Sequence, residues 1–111
     1  MKNLLIIIVA YTIRISAIAQ KASYYHDKYH GRKTASGEVF SQNKYTCASN
    51  KYKLGTRLRV TNPKNGKSVV VRVNDRGNLY GRTVDLSKSA FRKIANLKQG
   101  VIKVKIQILW I

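Results

Sequence analysis

Acidic side chains are almost missing from this chain: four of its 111 residues are Asp or Glu, against 22 Lys and Arg. Cysteine occurs once, at Cys47, which excludes a disulfide framework within one chain. With Thr46 and Ala48 beside it, Cys47 reads as a small buried residue rather than a nucleophile. No zinc-type pairing of Cys and His occurs, and the two histidines, His26 and His30, lie well upstream of Cys47. No metal and no cofactor are therefore expected. Internal repeats, low-complexity tracts and linkers are absent too. The one long apolar run, Leu4 to Ile13, is ten residues. As a helix it would span about 15 Å, roughly half of a bilayer core, so it does not read as a membrane span.

What the first residues do contain is ordered. Met1-Lys2-Asn3 is a short basic start, the apolar run follows, and Ala17-Ile18-Ala19 supplies the small-x-small pattern read by signal peptidase. Residues 1–19 are expected to be a cleaved signal peptide and residues 20–111 the mature domain. No cysteine stands at the cleavage point, so no lipoprotein anchor and no stable membrane anchor are expected. The export signal implies a periplasmic or extracellular location. The mature part carries 20 Lys and Arg against 4 acidic residues, a net +16. About ninety residues make one domain with a modest core. Its surface will attract anionic polymers, and export favours those of a cell wall over nucleic acid. A solvated basic surface without a partner stays open, and a monomer is expected.

Along the mature chain, Ala22 to Tyr25 reads as a short first strand. His26 to Asn50 is polar and turn-rich, like a long functional loop. Arg57 to Thr61 alternates polar and apolar residues as a half-buried strand does. Asn65-Gly66 then predicts a hairpin, because both residues tolerate positive φ, with Ser68 to Val73 as its β-branched return. Thr83-Val84 suggests another short strand. Asp85 or Ser87 is expected to cap a helix running to about Asn96, with Ala90, Phe91, Ile94 and Ala95 on one face. Val101 to Trp110 predicts a last strand with Ile102, Val104, Ile106, Ile108 and Trp110 on one face. The pattern is mostly β with one short helix before the last strand. Periodicity alone does not choose between a barrel and an open α+β sheet.

Scarcity of acid makes an acid catalyst easy to seek by elimination. Asp27 sits in a loop beside Lys28, and Asp85 reads as a helix cap. Asp75 follows a buried strand and precedes Arg76-Gly77. There a carboxyl can face a cleft and have its pKa raised by partial burial, or pair with Arg76 or Arg82 and merely fix a loop. Glu38 lies in the irregular loop and could share such a cleft.

The segments Ala22 to Tyr25, His30 to Glu38, Gly55 to Asn62, Asn65-Gly66, Val71 to Gly77 and Asp85-Leu86-Ser87 occur in this order. Together they resemble the RlpA (rare lipoprotein A) family of septal-ring lytic transglycosylases over essentially all of the mature chain. The resemblance implies a six-stranded double-psi β-barrel, related in fold to expansins and barwin-like proteins. It also implies cleavage of peptidoglycan glycan strands, with preference for strands stripped of stem peptides. The family's aspartate falls on Asp75 and its glutamate on Glu38. Its histidine position holds Ser49, the usual proline after Asp-Arg-Gly is Asn78, and a sporulation-related repeat is not found in this sequence. A lytic transglycosylase uses the sugar's own C6 hydroxyl as nucleophile, so one carboxyl can protonate the leaving oxygen and then accept the hydroxyl proton. Serine cannot transfer protons near neutral pH as histidine does. Losing such a partner typically costs about 10²–10⁴-fold. The alternative is a non-catalytic, expansin-like wall-glycan binder. In it Tyr29, Tyr45, Tyr52 and Tyr80 would stack on sugars while basic residues such as Arg76 contact acidic groups.

Overall fold

The computed structural model describes residues 20–110, so the expected signal peptide lies outside the described residues. Six strands close into a barrel: β1 (Gln20–Tyr24), β2 (Thr46–Ala48), β3 (Arg57–Thr61), β4 (Ser68–Asp75), β5 (Val84–Leu86) and β6 (Ile102–Trp110). Their order around the wall is β1-β5-β2-β4-β3-β6, with β6 returning to β1. β1 runs parallel to β5 and β2 parallel to β4, while all other pairs are antiparallel. Among the described residues one α-helix, α1 (Lys88–Ile94), precedes the last strand. The six-stranded barrel with one short helix is the expected architecture, and closure settles the choice against an open sheet.

Alternation builds the interior. Leu58 and Val60 of β3, Val69, Val71 and Val73 of β4, Val84 and Leu86 of β5, and Ile102 and Val104 of β6 form one buried cluster. Each such side chain contributes about 1.5–3 kcal/mol relative to exposure. Ala90, Phe91 and Ile94 of α1 join it, and Phe91 meets the Tyr24 ring edge-on at 4.9 Å. Cys47 is fully buried in the same cluster, as its neighbours suggested.

The structure decides or refines four local expectations. The helix is capped by Ser87, whose hydroxyl accepts the Ala90 N–H, while Asp85 lies inside β5 between inward-facing Val84 and Leu86. The helix ends at Ile94, before the expected Asn96, where the Asn62 and Asn65 side chains both donate to the Ile94 carbonyl, at 2.8 and 2.9 Å. The hairpin between β3 and β4 has a four-residue loop, Pro63 to Gly66, closed by Asn62 and Lys67. Within it only Gly66 takes positive φ. Finally, β6 does not keep one buried face. Its register to β3 shifts opposite Arg57 and Leu58, and Ile108 and Trp110 are exposed, with the Arg57 guanidinium 5.0 Å from the Trp110 ring.

A second, smaller cluster of Tyr25, Phe40, Ala48 and Leu79 lies apart from the barrel interior. It seats the long irregular segment. Within that segment the structure finds a 3-10 turn at Asp27–Tyr29, strand β2 and a bridge between Lys33 and Val39. Buried Gln42 ties the segment down. Its amide donates to the Tyr25 carbonyl at 2.8 Å and to Asp27, and its oxygen accepts the Lys88 N–H at 2.8 Å.

Candidate active site

One row of residues crosses four strands. Ser23 of β1 is paired with Asp85 of β5, Asp85 with Ala48 of β2, and Ala48 with Asp75 of β4. Directly paired residues point to the same face of a sheet. Cys47 and Leu86, the neighbours of Ala48 and Asp85 along their strands, point into the barrel, so Ala48 and Asp85 face outward. Asp75 joins them because the register of β4 against β2 shifts between Cys47 and Ala48, with Asn74 as the extra residue. A cleft of about 300 Å³ opens over the row. It is lined by Tyr25, Tyr29, Ala48, Asp75, Arg76, Gly77, Asn78, Leu79, Tyr80 and Asp85.

Asp75 is held from three sides. Its Oδ1 accepts the Ala35 and Arg76 backbone N–H groups, both at 2.9 Å, and its Oδ2 accepts the Tyr25 hydroxyl at 2.7 Å. Tyr25 is itself fixed, its ring stacked on Phe40 at 4.0 Å and edge-on to Tyr29 at 5.9 Å. Burial, then the bonded Asp75 carboxylate, push the Tyr25 hydroxyl far above its ordinary value, so it stays a donor. Asp75 does not form the alternative loop-fixing pair with Arg76 or Arg82. The Arg76 guanidinium donates to the Ser49 carbonyl, and that of Arg82 to the Leu79 and Asn78 carbonyls and the Ser23 hydroxyl.

Of the residues singled out in the sequence, Asp75, Arg76, Tyr29 and Tyr80 come together at the cleft. Glu38, Ser49 and Tyr45 lie outside its lining. Glu38 makes a two-pronged ion pair with Arg72 of β4 and accepts the Ser36 hydroxyl at 3.2 Å. Arg72 holds its carboxyl down at about 2. This pair secures the loop whose Ala35 N–H reaches Asp75. Ser49 touches Asp75 through backbone only, its N–H donating to the Asp75 carbonyl at 3.0 Å. Its side chain is fully buried and donates to the Thr83 carbonyl at 2.9 Å. Tyr52 packs on the barrel core, and its hydroxyl accepts from Gln20. Tyr80 is 86% exposed at the cleft lip and takes φ 50°, a left-handed conformation unusual for an aromatic residue.

Two residues of the site were not found as such from sequence. Tyr25 looked like the end of a strand, and only the fold shows what its hydroxyl meets. Asp85 was read as a cap, yet it lines the cleft and accepts the Ser23 hydroxyl at 2.8 Å. Burial raises its carboxyl above the ordinary value, opposed by the Ser23 bond and Arg82. The signal that could have found it is the strand alternation Val84-Asp85-Leu86, which puts the carboxyl opposite two buried side chains.

Comparison with known proteins agrees with this architecture. A family model described as lytic transglycolase, a double-psi β-barrel family, matches residues 17–106. The endolytic peptidoglycan transglycosylase RlpA of Neisseria meningitidis is 48% identical over 87 residues, covering 78% of this chain and 36% of that protein. The RlpA of Pasteurella multocida is 44% identical, over 79% of this chain and 30% of its own length. The chain thus spans about a third of the length of these curated relatives. An uncharacterized Synechocystis protein of similar size is 46% identical, with 80% of this chain and 96% of that one covered. Among solved structures, a Streptomyces papain inhibitor superposes with a TM-score of 0.66 at 27% identity, over 82% of this chain and 92% of that one. An expansin of Clavibacter michiganensis in complex with cellohexaose superposes with a TM-score of 0.63 at 23% identity, over 82% of this chain and 49% of that one, a likeness of fold alone. With the family model matching most of the described barrel, and relatives near half identity along it, the chain belongs to the RlpA-like family of double-psi β-barrel lytic transglycosylases.

Proposed function

We propose that this protein is an endolytic peptidoglycan transglycosylase that cleaves glycan strands, preferring those without stem peptides, and leaves 1,6-anhydro ends. Residues 1–19 direct export, and the domain works as a monomer outside the cytoplasmic membrane, without a nucleic-acid partner. The observation that carries this reading is Asp75, fixed by three donors in a cleft with tyrosines at its lips. Each carboxylate oxygen has two acceptor positions. Oδ2 uses one on Tyr25 and keeps one for a proton in transit.

The chemistry needs two proton transfers. The leaving glycosidic oxygen must gain a proton as its bond to C1 breaks, and the C6 hydroxyl must lose one as it closes on C1. A carboxyl within reach of both can serve them in turn. Tyr29 and Tyr80 offer ring faces for sugars, and Arg76 and the basic surface attract the strand's acidic groups. Glu38 and Ser49 act at one remove. Glu38 secures the Ala35 loop through Arg72, and Ser49 fastens the ends of β4 and β5 to β2.

A second reading, a non-catalytic glycan binder, is favoured by one observation. The side chain at the family's histidine position is Ser49, buried and committed to Thr83. Incubation with purified peptide-free glycan strands separates the two. Release of 1,6-anhydro fragments, seen by mass spectrometry and lost in Asp75→Asn, supports the enzyme. Strand pull-down without fragments, weakening as salt screens the basic surface, supports the binder.

A further inference from the structure

We propose that Asp85 is a second catalytic residue, the acid that protonates the leaving oxygen, while Asp75 is the base that receives the C6 hydroxyl proton. This rests on the transglycosylase reading and divides its two proton transfers between two carboxyls.

The argument begins with the row across the wall. Asp85 and Asp75 are both paired with Ala48, one from each side. Two strand spacings put their Cα atoms about 9–10 Å apart. The residue between them carries only a methyl group, so the floor between the two carboxyls is low, and both line one cleft. In glycosidases where two carboxyls flank a bond with a water between one of them and the sugar, the separation is about 6.5–9.5 Å. Here the C6 hydroxyl takes the place of that water, and two carboxyls set apart across the small Ala48 leave room for it.

The surroundings of the two carboxyls differ in the way a division of labour requires. Asp75 receives three hydrogen bonds from Ala35, Arg76 and Tyr25, so its oxygens are arranged as acceptors. Asp85 receives one from a side chain, Ser23, and lies between the buried Val84 and Leu86. The charged and titratable groups near it are Arg82 from the loop before β5, Asp75 across Ala48, Tyr25 after β1, and Cys47 behind the wall. Burial is the largest influence on Asp85 and favours its protonated form. One carboxyl arranged as an acceptor, beside another whose burial favours its proton, is the pattern of a base and an acid.

The step balances without a co-reactant. The C1–O bond breaks as the Asp85 proton moves to the leaving oxygen, which departs as a sugar hydroxyl. The C6 oxygen bonds to C1 and its proton moves to Asp75. Solvent in the open cleft returns the proton from Asp75 to Asp85.

The test uses the chain with two substrates: peptide-free glycan strands, and a glycan oligosaccharide carrying a 4-methylumbelliferyl leaving group, which departs without being protonated. Asp85→Asn is expected to lower strand cleavage about 10²–10⁴-fold while 4-methylumbelliferone release stays within about tenfold of the unmutated chain. Asp75→Asn is expected to lose both activities. Since the acid must hold its proton, wild-type turnover should fall as pH rises through the Asp85 value. Ser23→Ala, which removes a bond favouring the charged carboxylate, should move that limb to higher pH and leaves Asp85 itself in place. Full strand cleavage by Asp85→Asn, equal loss on both substrates with the circular dichroism spectrum unchanged, or an unmoved limb in Ser23→Ala would each overturn the assignment of the acid. If the wild-type chain cleaves neither substrate, it is the transglycosylase reading that fails, and the assignment with it.

Discussion

The barrel interior and the outer face that carries the cleft are built on different terms. The interior is closed by repetition: Val, Leu and Ile alternate along β3, β4 and the first half of β6, and any one of them has many equivalents. The outer face is closed by a few specific contacts, each made by a different residue. Tyr25 reaches Asp75, Ala35 reaches Asp75, Gln42 joins three segments, and Phe40 supports Tyr25. Stability therefore resides mainly in one region and the chemistry in the other. Changes in the two should separate melting temperature from turnover.

The largest expected effect on stability is in the interior. Leu58→Ala removes a fully buried side chain of β3 and should cost about 2–5 kcal/mol in chemical denaturation. Chain that remains folded should still bind glycan strands, because Leu58 does not line the cleft. Equal loss of binding and stability would break the separation. Tyr25→Phe is the complementary change. It keeps the ring on Phe40 and deletes one hydrogen bond to a carboxylate, so stability should fall by about 1 kcal/mol. Turnover should fall about tenfold at unchanged KM, since a bond of that strength orients the Asp75 carboxyl.

A smaller effect comes from Glu38. Its carboxyl is held down at about 2 by Arg72, so the folded state favours the ionised form. That contribution is complete above the unfolded carboxylate value of about 4.3 and vanishes as pH falls through about 2. Glu38→Gln should therefore melt slightly lower than the unmutated chain at neutral pH, and the two should converge in acid. The pair is partly solvent-exposed, so the neutral-pH difference should stay within about 1 kcal/mol. Smallest is Cys47→Ala. Its thiol is buried among apolar neighbours and is pushed up by that burial. Replacement should change stability by about 1 kcal/mol or less and leave turnover alone.

The same division explains what could be read from the sequence. Strands β3 and β4, the start of β6 and the helix face of Ala90, Phe91 and Ile94 follow from periodicity, because packing repeats impose it. Asp75 could be singled out because it ends such a strand. Strand β2 could not, since three buried residues inside a polar segment give no period to detect. Nor could Asp85, because Asp and Ser two residues apart are both good caps, and only the pairing of β5 with β1 and β2 decides between them. The departure of Trp110 from the face of Ile102 and Val104 follows a register shift against β3 between Arg57 and Leu58, which alternation in β6 does not encode. The Tyr25 contact joins residues fifty positions apart, and nothing local to either announces it.

The order of strands around the barrel also governs how the chain reaches this state. β1, first in the described chain, lies between β5 and β6, the last two strands to be made. During synthesis β1 therefore has no partner until Val84 has emerged and no second partner until Ile102 follows. Neither parallel pair can form as a simple hairpin, so the early chain has only the β3–β4 hairpin to assemble. Such long-range pairing places folding in the slow range of about milliseconds to seconds. A chain stopped before Ile102 would leave β1 and β3 each with an open edge, and such fragments are expected to associate with one another.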